Sequence, residues 1–312
     1  MQKHIKNEKN IYSTCLIFFT SSVYADKLLE SGFLSGEWDL DTTFKVDAPG
    51  DKIIIIYNHG SERNDKPSKN CQWKNNVRNF ASLSGKKIKD KEILVYSFCT
   101  DNPGGDDWKI FWKNKNQKYK GIPKLEKRVE ANNNLIEKFI TLGVPKNQIF
   151  ISGHSCGGWL TMMFMAKYPN KIAGGISTHH ACYGKLSTKY KVKKVGVDEA
   201  LKKFEKKKPV ASYFRKTQIN KIKEAKKLPV LIFTHPKDPF DGLLSDWVEE
   251  IPGTKRIIIS EDFKINNKSC KRIGINNGKR WTEPLKNGHW MSFGDCFQYY
   301  NSTILEFIQS RI

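Results

Sequence analysis

No apolar run in the chain is long enough to span a bilayer, which excludes an integral membrane protein of the helical kind. No H-E-x-x-H or C-x-x-C spacing occurs, so the pattern calls for no metal, and no cofactor motif takes its place. Helix-turn-helix, zinc-finger and RNA-recognition patterns are missing, and with them the usual grounds for a nucleic-acid partner. Internal repeats and low-complexity linkers are missing too, and 312 residues without them suit one large domain or two small ones. Acidic residues are scarce: 32 Asp and Glu face 54 Lys and Arg, for a net charge of +22. That balance says what the surface attracts and nothing about fold.

What is present begins with an export pattern. Lys3, Lys6 and Lys9 precede an apolar core from Ile11 to Thr20, and Val23 and Ala25 stand where a signal peptidase reads small residues. The pattern predicts a signal peptide over 1–25, cleaved after Ala25, and a periplasmic or secreted domain over 26–312. Cys15 falls inside the signal and lacks lipobox neighbours. Removing it leaves Cys71, Cys99, Cys156, Cys182, Cys270 and Cys296, an even set that predicts disulfides in an exported chain. The count alone leaves the pairing open.

From Lys52 onward, strand-like and helix-like stretches alternate. Lys52–Tyr57 is a continuous β-branched run, as expected of a strand buried on both faces, and it leads into Asn58–His59–Gly60–Ser61. Glu92–Ser97, Gln148–Ser152, Ile172–Ser177, Leu228–Thr234 and Arg256–Ser260 read as further strands. Apolar spacing at Leu125, Val129, Leu135, Ile136 and Phe139 predicts a helix opened by Pro123 and closed by Gly143. Other helices are expected over 156–168, around Leu243–Ile251 and near Phe297–Ile308. Residues 26–50 read as an edge hairpin, and the stretch through Cys270 and Trp281 reads as a polar loop. The alternation predicts an α/β fold with a mostly parallel central sheet flanked by helices. In such sheets chemistry sits beyond the carboxyl ends of the strands.

One turn stands out. The strand Gln148–Ser152 breaks at Gly153–His154–Ser155–Cys156–Gly157 and runs straight into an apolar helix. This is G-x-S-x-G between strand and helix, where the serine takes a strained backbone and its neighbours two residues away must lack a Cβ. The hydroxyl then stands at a helix N-terminus, which favours developing negative charge. A serine needs a base, and the base an orienting acid. Asp238 follows the strand ending at Thr234, with Asp241 as its competitor. His289 lies in Asn287–Gly288–His289–Trp290, the only histidine after His235. His59, His154, His179 and His180, with His235, fall near strand ends but lack metal-ligand spacing.

Serine, acid, histidine is the chain order of the α/β-hydrolases, and the chain resembles a serine hydrolase of that superfamily, in its esterase, lipase and dienelactone-hydrolase-like region. The likeness runs from about Lys52 to the last residue. It rests on Asn58–Ser61, Gly153–Gly157, the Asp238 turn and Gly288–His289. The resemblance implies Ser155 as nucleophile, Asp238 as acid, His289 as base, and the backbone amides of Ser61 and Cys156 as the oxyanion hole. It also implies a cap inserted after the superfamily's sixth strand, here about 185–227, where sixteen Lys and Arg meet four Asp and Glu. On that layout Cys156 is expected to pair with Cys182, Cys270 with Cys296, and Cys71 with Cys99. The expected activity is cleavage of a carboxylic ester through an acyl-serine, on a small-molecule or polymer substrate, with anionic esters among the candidates. A peptidase or amidase on the same fold, or a non-catalytic protein gripping anionic polymer, are the alternatives.

Overall fold

Ile53, Ile54, Ile55 and Ile56 are all fully buried, so their strand has to be covered on both faces. A computed structural model shows how, for residues 31–35, 39–60, 78–100, 124–260, 262–276 and 279–312. The export segment expected over 1–25 lies outside the described residues, as do Ser61 and Cys71. Strands β1 (Gly32–Ser35), β2 (Asp39–Asp41), β3 (Lys52–Asn58), β4 (Lys87–Ile88), β5 (Lys91–Phe98), β6 (Ile149–His154), β7 (Gly174–Thr178), β8 (Val230–Thr234) and β9 (Lys255–Ile258) form one sheet. Its order is β2-β1-β5-β3-β6-β7-β8-β9, with β4 added to β5. From β5 to β9 every pairing is parallel, while β1, β2 and β4 make antiparallel pairs at one side.

Side chains on successive strand residues point to opposite faces, and the core divides accordingly. Ile54, Ile56, Ile149 and Ile151 join one apolar cluster with helices α1 (Lys124–Thr141), α2 (Cys156–Lys167) and, farther along, α3 (Val197–Lys207) and α4 (Pro209–Lys223). Ile53, Ile55 and Phe150 join a second cluster that includes Phe307 and Ile308 of helix α5 (Asn301–Gln309). Helix α2 has no polar side over its first ten residues, all buried, because it lies on the sheet with α1 and α4 against it.

The lysine-rich segment between β7 and β8 is helical. Gly196, at φ 82°, leads into α3, whose Asp198 and Glu199 sit in the first turn and Lys206 and Lys207 in the last, matching the helix dipole. Its buried residues, Ala200 and Phe204, are four apart, so its lysines face water. Pro209 opens α4, which buries Val210, Ala211, Phe214 and Ile222 and is built into the helical layer beside α2.

Two stretches differ from expectation. Around Leu243–Ile251 there are 3₁₀ turns, Gly242–Leu244 and Asp246–Glu250, in place of a helix. Ser245 Oγ donates to the Asp241 carbonyl at 2.7 Å, a local bond that competes with the helical ladder. The expected polar loop is two antiparallel hairpins, Lys264–Ile265 with Lys268–Ser269 and Lys271–Asn276 with Lys279–Pro284. Asn266 and Asn267 turn the first with φ of 50° and 62°, values that asparagine tolerates better than most residues.

Candidate active site

The carboxyl ends of β3, β6, β7 and β8 lie along one edge of the sheet, and the site is assembled there. Between β6 and α2, Ser155 takes φ 56° and ψ −120°, a conformation side chains rarely adopt. Close approach explains its glycines. A Cβ on Gly157 would stand 2.1 Å from the Asn58 carbonyl oxygen, and one on Gly153 would stand 2.4 Å from the Gly157 carbonyl carbon. The end of β3 therefore lies against the start of α2. Asn58 and Asn132 hold that end through a reciprocal amide pair, 2.9 Å each way, and buried Arg128 donates to the His59 carbonyl at 2.9 Å.

Three side chains from distant parts of the chain meet. His289 Nε2 is 2.9 Å from Ser155 Oγ, and His289 Nδ1 is 2.8 Å from Asp238 Oδ2. A carboxylate only accepts, so Nδ1–H donates to Asp238 and Nε2 is left to accept from the serine hydroxyl. The second oxygen of Asp238 accepts the Phe240 amide at 2.8 Å. Asn287 caps the turn that carries the imidazole, accepting the His289 amide at 2.9 Å. Phe240 covers the imidazole, ring centroids 4.2 Å apart. Gly288 serves close approach rather than looseness: a Cβ there would meet His235 Nδ1 at 2.5 Å.

The other polar residues sort by their partners. Asp241 faces Arg215 at 3.2 Å in a buried pair, not the imidazole. His59 is buried, with Nδ1 2.7 Å from the Gly60 carbonyl and Nε2 3.2 Å from Thr100 Oγ1. His154 Nδ1 lies 3.0 Å from Ser292 Oγ. His235 Nδ1 accepts the Lys237 amide at 3.0 Å. His179, at φ 47°, brings Nδ1 to 3.9 Å from Asp238 Oδ2. Burial pushes His179 and His180 down to about 3, so both stay neutral, His179 despite Asp238 and His180 with Arg256 and Arg215 adding to the fall. Among the described residues no group of three or more His, Cys, Asp or Glu is arranged to hold a metal.

Two disulfides are formed, Cys156–Cys182 and Cys270–Cys296, the pairs expected from the layout. The pairing expected for Cys71 lies outside the described residues, and so does Ser61, the other expected oxyanion residue. Some contacts left no trace in the sequence. The Ala181 carbonyl lies 3.1 Å from Ser155 Oγ, a backbone acceptor that competes with His289 Nε2 for the one hydroxyl proton and that no residue type announces. The Asn287 cap was legible as Asn-x-His ahead of an apolar turn.

Burial raises the Asp241 carboxyl to about 6, with Arg215 opposing the rise. A carboxyl raised on folding contributes stability that is full below its unfolded value, about 3.9, and is lost as pH climbs through about 6. Relative to Asp241→Asn, the wild type should therefore lose up to about 3 kcal/mol between pH 4 and pH 7. Urea unfolding at both pH values checks this, and a constant difference would show that Arg215 keeps the carboxylate ionised throughout.

Comparison with known proteins agrees with the fold. A family model described as phospholipase/carboxylesterase matches residues 105–225, a span that includes Ser155 and ends before Asp238 and His289. A bacterial brefeldin A esterase, described as a homologue of human hormone-sensitive lipase, superposes with a TM-score of 0.50 at 10% identity, over 90% of this chain and 76% of that one. An esterase structure from Rhizomucor miehei superposes at 0.47 and 14% identity, over 85% of this chain and 77% of its own. The chain has no match among curated proteins. The chain thus has the fold of the α/β-hydrolases, and over residues 105–225 it is similar to phospholipases and carboxylesterases. No helix among the described residues is long and apolar enough to cross a membrane.

Proposed function

We propose that the protein is an exported serine hydrolase that cleaves carboxylic esters through an acyl-serine intermediate. The observation that carries this reading is the unbroken chain from Ser155 Oγ to His289 at 2.9 Å and on to Asp238 at 2.8 Å. His289 takes the hydroxyl proton as Ser155 Oγ attacks the ester carbonyl, and the tetrahedral oxyanion forms beside the N-terminus of α2. The imidazolium returns the proton to the leaving alcohol. Water, deprotonated by the same imidazole, then releases the acid. Asp238 fixes the tautomer and balances the imidazolium charge. The Cys156 amide, first in α2, supplies one oxyanion donor, and the resemblance assigns Ser61 the other.

Two disulfide-bonded pairs suit an oxidising compartment, which supports export to the periplasm or beyond. Lys185 Nζ lies 5.9 Å from the Phe240 ring centroid, and Phe240 covers His289, so the lysine-rich segment puts positive charge beside the site. That charge would draw anionic esters.

The test is labelling by a fluorophosphonate together with turnover of p-nitrophenyl acetate and butyrate. One adduct per chain, on Ser155, is expected. Asp238→Asn should fold normally and lose about 10⁴-fold in kcat, the scale of leaving a triad histidine in the wrong tautomer. Asp241→Asn should keep most of its activity. An unlabelled, inactive wild type would leave only a binding role.

A further inference from the structure

We propose that the Cys156–Cys182 disulfide is a positioning element for the proposed reaction, holding the nucleophile turn so that the Cys156 amide points at the oxyanion. This rests on the ester-hydrolase reading above and adds to it a covalent bond whose sulfur atoms take no part in the chemistry.

The argument begins with Ser155. Its φ of 56° and ψ of −120° persist only if the surroundings over-determine them. That ψ also sets the plane of the 155–156 peptide, which carries the Cys156 amide, so relaxation at Ser155 would swing the donor away. The segment that follows β7 wraps this turn. The Ser155 amide donates to the Thr178 carbonyl at 3.0 Å, and the Ala181 amide donates back to the Ser155 carbonyl at 3.2 Å. Ser177 Oγ donates to the Gly158 carbonyl at 3.0 Å, and Ser155 Oγ reaches the Ala181 carbonyl at 3.1 Å. The residue after Ser155 is then bonded covalently to the residue after Ala181, their Cα atoms 4.5 Å apart. Three of these hydrogen bonds hold Ser155 itself, the fourth holds Gly158 in the first turn of α2, and the disulfide holds the residue next to the serine.

The second disulfide separates this role from simple stapling. Cys270–Cys296 closes a loop of the same sequence separation, 26 residues, so the unfolded chain is constrained equally by either bridge. The double variants C156A/C182A and C270A/C296A should therefore lower Tm by similar amounts. Only the first removes a tie at the oxyanion donor.

Both variants are assayed with p-nitrophenyl butyrate well below their Tm, with active sites counted by fluorophosphonate. C156A/C182A should lose about 10- to 100-fold in kcat, up to the scale of losing one oxyanion donor. The phosphonylation rate should fall by a similar factor, KM should change less than about two-fold, and the pH profile should keep its shape. A kcat within about two-fold of wild type would overturn the proposal, as would equal losses in the two double variants. If C156A/C182A does not fold, Cys182→Ser opens the same bridge with Cys156 in place and is judged by the same numbers. A wild type without esterase activity would sink the function itself, an outcome distinct from an active wild type matched by its variant.

Discussion

Replacing Ser155 with glycine is expected to remove ester hydrolysis and raise the melting temperature of the same protein. The activity loss follows from deleting the hydroxyl that lies 2.9 Å from His289, and should reach about 10⁴-fold or more. The gain in stability comes from the backbone. A side chain at φ 56° and ψ −120° costs about 1–3 kcal/mol of strain, which glycine avoids. Extra freedom in the unfolded chain takes back about 0.4–1 kcal/mol. The net of about 1 kcal/mol should raise Tm by about 1–2 °C. Ser155→Ala loses the same hydroxyl and its bonds but keeps the strain, so the Tm difference between the two variants isolates the backbone contribution. Turnover surviving in either variant would remove Ser155 as nucleophile. A glycine variant no more stable than the alanine one would remove the strain argument.

Gly157→Ala should be the most damaging single methyl group in the chain. Its Cβ would stand 2.1 Å from the Asn58 carbonyl oxygen and 2.8 Å from the His59 carbonyl oxygen, both backbone atoms of a buried strand end. No side chain can swing aside, and Asn58 is tied to Asn132, so β3 and α2 would have to separate. A loss of about 3 kcal/mol or more is expected, seen as a fall in Tm of roughly 5 °C or more, or as an insoluble product. Gly50→Ala is the comparison, because no atom lies within 4 Å of its Cβ position. That variant should stay within about 0.5 kcal/mol of wild type. An unchanged Tm for Gly157→Ala would mean that the two elements pack less closely than the structure has them.

The parts legible in the sequence were those that a repeating or punctuating pattern writes down. Ile53–Ile56 announced a doubly covered strand because no polar residue interrupts them, and Gly153 and Gly157 marked a close approach because only glycine permits one. Position favours Asp238 over Asp241 in the sequence, because it stands nearer the strand end, but both follow that same end. What separates them is Arg215, brought up by a helix 26 residues earlier in the chain. The hairpin Lys271–Pro284 carried a signal that was passed over, an Asn277–Gly278 dipeptide between β-like runs. Its lysines and arginines made it read as a loop, whereas Arg272 packs over Trp290 at 4.8 Å. The Ala181 carbonyl could not have been read at all, because main-chain acceptors are the same at every residue.

The imidazole comes 134 residues after the hydroxyl it faces, on a turn that lies beyond the last strand of the sheet and ahead of α5. A nascent chain has therefore laid down the whole sheet, β1 to β9, before its base emerges. On the proposed reading, a polypeptide that stops short of His289 lacks its base and is expected to be hydrolytically silent.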